Sequence, residues 1–469
     1  MSDPLLPAGY ERPHLVGIGG AGMSGLARLL LRRGARVSGS DVKDSRRLAA
    51  LRALGAEIRL GHDPEQVGSA SLVVYSPVIP AGNVELASAR RRGLPVVDRV
   101  EALGALMAGS QAVVVAGSHG KTTTTSMLTV ALQACGQDPS FVIGGDVNEA
   151  GSNAHAGSGE IFVAEADEGD GAFAHLRPRG LVVTNIETEP ADAGLAAYLA
   201  FAERVGPDGF VVACQDDSGA RELAAALRSA PDPPRVTTYG TAADADVRLE
   251  SPTVATVGSV GSTGEIVARG RRLGTVTLRV PGLHNLRNAA GALAAGLELG
   301  LPAAGLVAGL GSFGGVRRRF EYKGVAGGVR VIDDYANHPT KIAAVLRTAR
   351  AVAAGGRLVV AYQPDLYSRV AAAAPAFGAA LGLADAVVVM AVFGGAEESI
   401  PGVTGAMIAA EVPLPAGDVV YEPSWSAVAE RVARFSRPGD VALTVGAGDV
   451  TLLGGEIMRV LAERSALTG

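Results

Sequence analysis

Val113–Thr125 reads VVVAGSHGKTTTT, and this stretch decides the fold. An apolar β-branched run enters a glycine turn, and Lys121 then opens a threonine-rich helical segment. A strand, a glycine turn and a helix start in that order bring backbone N–H groups together around an anion. A lysine adds a point charge, and a following hydroxyl can reach a divalent cation. Gly117, Ser118, His119, Gly120, Lys121, Thr122 and Thr123 are therefore the candidate cradle for a nucleotide phosphate, with Thr122 a candidate Mg²⁺ ligand. The chain has four lysines, Lys43, Lys121, Lys323 and Lys341, and otherwise writes its positive charge as arginine. The loop is shorter than the common eight-residue form: Val115 occupies the place of its first glycine.

Outward from this loop, the 469 residues predict several domains. A 48% hydrophobic and 19% charged composition supplies large cores and argues against disorder. The net charge of −5 offers no basic field for nucleic acid, and 4% aromatic residues offer few stacking platforms. No apolar run approaches the length of a membrane span, so no membrane partner is expected. Cys135 and Cys214 show no metal-ligand spacing, and reduced thiols fit a cytoplasmic protein.

Upstream, His14–Ile18 reads as a strand, residues 24–33 as a helix and Ala35–Ser40 as a second strand ending at Asp41. Between them lies Gly17-Ile-Gly19-Gly20-Ala21-Gly22-Met23. This is the strand, glycine turn, helix, strand and acidic residue of a nucleotide-binding βαβ unit. It leaves open whether NAD or a UDP-sugar is bound.

Downstream, Glu165-Ala-Asp167-Glu168-Gly-Asp170 closes a strand and offers oxygen ligands of the kind Mg²⁺ takes. Segments around Ala245–Leu249, Glu265–Ala268 and Gly274–Val280 read as β-hairpins, and His284-Asn285-Leu-Arg-Asn288 opens a helix. From about Val316, strands Val329–Asp333, Arg357–Tyr362, Ala386–Met390 and Val441–Val445 alternate with helices and predict a parallel sheet. Ligands of such sheets bind at strand carboxyl ends. Asp333-Asp334-Tyr335-Ala-Asn337-His338 and Gln363-Pro-Asp365-Leu-Tyr367-Ser-Arg369 both lie there.

Taken in order, these residues resemble the Mur ligase family. The matching pieces are Gly17–Met23, Ser38-Gly-Ser40-Asp41, Gly117–Thr124, Glu165–Glu168, Thr184-Asn-Ile-Glu187, His284-Asn285, Arg318-Arg319-Phe320 and Asp333-Asp334-Tyr335. Phe141–Gly145 and Ala447–Leu453 also fit its actinobacterial members. The resemblance implies an α/β protein of three domains: a Rossmann-like UDP-sugar-binding domain over 1–108, a P-loop ATPase-like domain with a parallel sheet and β-hairpins over 109–315, and a Rossmann-like amino-acid-binding domain over 316–469.

It further implies an ATP- and Mg²⁺-dependent ligase, acting in peptidoglycan biosynthesis, that phosphorylates the carboxylate of UDP-N-acetylmuramate and joins it to L-alanine. Gly19, Gly20, Ala21, Gly22, Met23, Ser40, Asp41 and Ser76 would bind the UDP-sugar. Asn285, Arg319 and Asp334 would join the phosphate loop in binding ATP, and Thr122 and Glu165 would hold the metal. Asn337, His338, Asp365 and Arg369 would bind the amine, with Lys121, His338 and Arg319 catalytic. The expected assembly is a monomer or homodimer.

Three departures from the family pattern stand out. Pro190 replaces a histidine expected at a second metal, Asn337 replaces the first of paired histidines, and Asp365 replaces the histidine of Gln-Pro-His. They keep open a paralogue that uses another amine and a non-catalytic nucleotide binder. A carboxylate at Asp365 predicts preference for a cationic amine.

Overall fold

Runs such as Val113–Ala116, Leu181–Val183 and Val359–Ala361 are apolar on every residue, which suits strands covered on both faces. In the computed structural model they are central strands and almost wholly buried. The structure describes residues 6–147, 152–167, 171–186, 194–254, 261–395 and 397–468.

Three sheets follow one another along the chain. The first has the spatial order Glu57–Leu60, Ser38–Asp41, Pro13–Val16, Leu72–Tyr75, Val96–Asp98, with every pair parallel. Its order reverses between Pro13–Val16 and Leu72–Tyr75, so a crevice opens at the carboxyl ends of those two strands. The helix Ala21–Arg32 starts there, three residues earlier than the sequence reading placed it.

The second sheet has ten strands. Gln111–Ala116 lies between Gly180–Val183 and Ile161–Glu165, parallel to both. Ser140–Val147 pairs next to Ile161–Glu165 and turns back antiparallel as Ser152–His155. On the other side, Phe210–Cys214, Arg235–Gly240, Val247–Val254, Ser262–Ala268 and Arg271–Leu278 extend the sheet in chain order.

These two sheets share one compact unit made of Met1–Thr253, Thr263–Leu278 and Leu283–Gly314. The helix Ala21–Arg32 packs on the pair Ser140–Val147 and Ser152–His155. Gly25 makes the approach possible, because a Cβ there would lie 3.2 Å from Val142 Cγ1 and 3.3 Å from Asn153 Nδ2. Asn153 Nδ2 donates to Ala21 O at 2.8 Å, tying this hairpin to the start of that helix.

The second unit comprises Val254–Ser262, Arg279–Gly282 and Gly315–Gly469. Its six-stranded sheet runs Glu321–Ala326, Val329–Asp334, Val441–Gly446, Leu358–Gln363, Ala386–Met390, Val419–Glu422. All pairs are parallel except the first. That antiparallel edge strand was not expected from sequence. Its residues are mostly half-exposed, so it lacks the continuous apolar signature of its neighbours. Helices Pro339–Ala353 and Tyr367–Leu381 cover one face with Ile342, Leu346, Val370 and Phe377. Helices Trp425–Phe435 and Leu453–Thr468 cover the other with Val428, Val432, Leu453 and Ile457. Each such buried side chain contributes about 1.5–3 kcal/mol.

Candidate active site

The phosphate loop takes its shape from glycines that no other residue replaces. Gly117 has φ +135°, and a Cβ there would collide with Thr184 Oγ1. Gly120 has φ +83°, and its Cβ would sit 2.8 Å from Asn288 Oδ1. Asn185 then fixes the loop from the neighbouring strand end. Its Oδ1 accepts from His119 N at 2.8 Å, its backbone oxygen from Ser118 N at 3.3 Å, and its Nδ2 donates to His119 O at 3.0 Å. The amides of Ser118 and His119 thus serve the loop's own structure.

The donors left open are the next ones. Gly120 is the N-cap of the helix Lys121–Ala134 and supplies no side chain to it, so the amides of Lys121, Thr122 and Thr123 have no acceptor within the helix. Lys121 Nζ lies 2.5 Å from Gly117 O and 3.5 Å from Asp167 Oδ2, poised over the same turn. Thr122 Oγ1 donates to Glu165 Oε2 at 2.8 Å. Gly144 backs this pair, since a Cβ there would strike Glu165 Oε1. A hydroxyl and a carboxylate side by side at a helix start are the hard oxygen donors that Mg²⁺ requires.

On the helix Leu283–Glu298, Asn285 and Asn288 are both buried, and Asn288 touches the loop at Gly120. The sequence gives the Asn288 side chain no role of its own, although its spacing of three from Asn285 puts both on one helix face. Arg287 pairs with Asp216 at 2.6 Å and secures the start of this helix. Glu168, Glu187 and Pro190 lie outside the described residues.

The first glycine turn forms a second cradle in the same unit. Gly17 has φ +78°, and its Cβ would lie 3.5 Å from Ser76 Cβ. Gly19 N donates to Asp41 Oδ2 at 2.8 Å, which holds the turn against the next strand end. Gly20 is the helix N-cap, again without a side-chain cap, and Ala21, Gly22 and Met23 form the first turn.

Ser40 is different. It is fully buried and its hydroxyl donates to Glu85 Oε2 at 2.6 Å. Glu85 also pairs with His62 Nδ1 at 2.9 Å and lies 3.6 Å from His14 Nε2. Burial pushes the Glu85 carboxyl up, but these hydrogen bonds outweigh it and hold the group below its ordinary range. Sequence reasoning missed this network: a glutamate in a first helical turn reads as a favourable dipole partner at the surface.

In the second unit, Asp334 Oδ2 accepts from Phe320 N at 2.7 Å and Oδ1 from Ala336 N at 2.8 Å. One buried carboxylate therefore holds the residue after Arg319 and the residue before Asn337. Burial raises its proton affinity. Asn337 Nδ2 donates to Asp365 Oδ2 at 2.9 Å, and Arg369 Nη1 donates to the same oxygen at 3.0 Å. His338 is the N-cap of the helix Pro339–Ala353, and Arg369 lies in the first turn of the helix Tyr367–Leu381. Residues from two strand ends thus meet, as the parallel sheet requires.

Residues 12–111 match the Mur ligase family, catalytic domain, residues 115–296 the Mur ligase middle domain, and residues 318–448 the Mur ligase, glutamate ligase domain. The chain belongs to the Mur ligase family. This Mur ligase is 54% identical to the UDP-N-acetylmuramate–L-alanine ligase of Saccharopolyspora erythraea, over 98% of this chain and 95% of that one. It is 52% identical to the enzyme of the same name from Acidothermus cellulolyticus, over 98% and 97%. The crystal structure of UDP-N-acetylmuramate-alanine ligase from Thermotoga maritima superposes with a TM-score of 0.79 at 26% identity, over 98% of this chain and all of that one. The three-domain Mur ligase fold is thereby shown.

Within this Mur ligase, two of the three departures are one. Asn337 and Asp365 bond to each other, and Arg369 neutralises the aspartate. The expectation that Asp365 recruits a cationic amine is not supported: its carboxylate already has a cation and an amide donor.

Proposed function

We propose that this Mur ligase joins the carboxylate of UDP-N-acetylmuramate to the amine of L-alanine, with ATP converted to ADP and phosphate through an acyl phosphate. One observation carries the reading. The loop Gly117–Thr123, with its Thr122–Glu165 pair, is intact in a chain 54% identical over nearly its full length to a UDP-N-acetylmuramate–L-alanine ligase. The paralogue and the non-catalytic binder are not favoured by that identity.

The residues divide the work. The amides of Lys121, Thr122 and Thr123 and the Lys121 ammonium receive phosphate oxygens, where they stabilise charge on the transferring phosphoryl group. Thr122 and Glu165 would hold Mg²⁺, which when bound neutralises charge on phosphate oxygens. Asn285 is the candidate for the adenine and Asp334 for the nucleotide. Arg319 is the candidate cation for the transferred phosphoryl. The first glycine turn, Asp41 and Ser76 receive the uridine diphosphate, while Ser40, its hydroxyl committed to Glu85 and its carbonyl to the amides of Gly17 and Ile18, supports the turn from behind. Arg369 faces the amino acid's carboxylate, and His338 takes the proton released by the attacking amine.

The proposed domains are 1–108, 109–315 and 316–469, a reading supported by one sheet falling within each range. Among the described residues no helix is long and apolar enough to cross a membrane. The proposed setting is cytoplasmic peptidoglycan assembly by a monomer or homodimer, with small-molecule substrates and no nucleic acid.

Phosphate release with ATP, Mg²⁺, UDP-N-acetylmuramate and a panel of amines tests the reading. L-Alanine should be the best amine. Release with another amine alone would favour the paralogue, and no release with any would favour the binder.

A further inference from the structure

Val316–Arg319 is a tight turn: Arg319 N donates to Val316 O at 3.0 Å. Its third residue, Arg318, has φ +61°, and Phe320 immediately beyond Arg319 has φ +49°. Glycine or asparagine normally takes such turn positions, because a Cβ makes left-handed backbone costly by about 1 kcal/mol or more. Here two side-chain-bearing residues in that conformation flank Arg319.

The Arg318 side chain accounts for the exception. Its Nη2 donates to Gly446 O at 2.8 Å, its Nε lies 3.8 Å from Asp333 Oδ2, and its guanidinium stacks 4.8 Å from the Tyr335 ring centre. Its backbone is held too, with N donating to Glu321 Oε2 at 2.9 Å and O accepting from Tyr335 N at 2.7 Å. Asp333 is fully buried, and its two oxygens accept from Thr444 and Thr451, each at 2.6 Å. It cannot touch a substrate, and its charge faces Arg318. The Arg319 guanidinium, by contrast, meets the Tyr335 ring at 5.4 Å and feels the charge of the buried Asp334 carboxylate, with no side-chain hydrogen bond of its own among the described residues.

We propose that Arg318, braced by Asp333, Gly446 and Tyr335, is a positioning residue that forces the left-handed turn and thereby presents Arg319 to the reaction. The adjacent arginines have separate duties: Arg318 is an internal strut and Arg319 the working cation. This rests on the reading of Arg319 as the cation for the transferred phosphoryl group.

The test uses the full-length enzyme and compares Arg318→Gly, Arg318→Ala, Asp333→Asn, Arg319→Ala and the double variant Arg318→Gly/Arg319→Ala. Glycine relieves the backbone strain but removes the strut. Arg318→Gly should melt at or above the temperature of Arg318→Ala. Both should lose about 30- to 100-fold in kcat, the scale of a misplaced catalytic group, with the KM for ATP changed less than about threefold. Asp333→Asn should lose kcat in the same direction. In the Arg319→Ala background, Arg318→Gly should cost less than about twofold, because it acts through Arg319. Wild-type kcat in Arg318→Gly, or an undiminished loss in the Arg319→Ala background, overturns the proposal. Wild-type kcat in Arg319→Ala instead refutes the reading of Arg319 itself.

Discussion

The side-chain amide of Asn337 donates to the carboxylate of Asp365 at 2.9 Å, across 28 residues of sequence. Arg369 reaches the same carboxylate oxygen. A hydrogen-bonded pair thus stands where the resemblance led to the expectation of two histidines. Asp365→Ala should release both Asn337 and Arg369. A hydrogen bond to a charged group is worth about 1.5–3 kcal/mol, so the KM for L-alanine should rise about tenfold or more, with the KM for ATP unchanged. Adding Asn337→Ala to Asp365→Ala should cost little further, which a double-mutant cycle on steady-state phosphate release would measure.

Lys121 Nζ sits over the Gly117 turn, whose following amides are proposed to hold the phosphate. Lys121→Ala should reduce ATP-dependent phosphate release by about 10³-fold or more while leaving the thermal melt near wild type, because the loop is built by Gly117, Gly120 and Asn185 rather than by the lysine. Substantial turnover in this variant would remove Lys121 from the reaction.

Glu165→Gln keeps the shape beside Thr122 but removes the anionic oxygen. The Mg²⁺ concentration for half-maximal activity should rise about 10- to 100-fold, by the usual worth of a metal-site group. An unchanged Mg²⁺ titration would place the ion elsewhere.

Glu85 is a buried carboxylate whose proton affinity is depressed in the folded state. Its stabilising effect is therefore fully present above the unfolded carboxyl pKa and is lost as pH falls through the lower, folded value. Glu85→Gln should destabilise the first unit by about 3 kcal/mol at pH 7, as removal of one partner from a buried charged cluster does. The gap from wild type should stay constant above about pH 5 and narrow below about pH 4. Urea unfolding across this range checks the sign, and a gap that widens in acid would contradict it.

Much of the site was legible in the sequence. Gly17, Gly19, Gly117 and Gly120 announce turns because only glycine tolerates their backbone or the contacts around it. Strands that read as unbroken apolar runs became sheet centres. Ser40 shows where such reading stops. The resemblance implied a ligand contact for it, whereas burial directs its hydroxyl to Glu85. The antiparallel strand Glu321–Ala326 escaped notice because an edge strand needs no apolar repeat.

The sequence by itself determined the α/β class, the two glycine turns and the placing of Lys121 and Thr122 at a helix start, and its motifs in order carried the resemblance to the family. These depend on backbone geometry and short spacings, which local residue types dictate. Only the tertiary structure decided which charges are spoken for: Asp365 by Asn337 and Arg369, Asp333 by two threonines and Arg318, Glu85 by Ser40 and two histidines. A charge's partner is set by strand register and burial, which bring together residues far apart in the chain. It was that pairing which turned Asp365 from a site for a cationic amine into a support for Arg369.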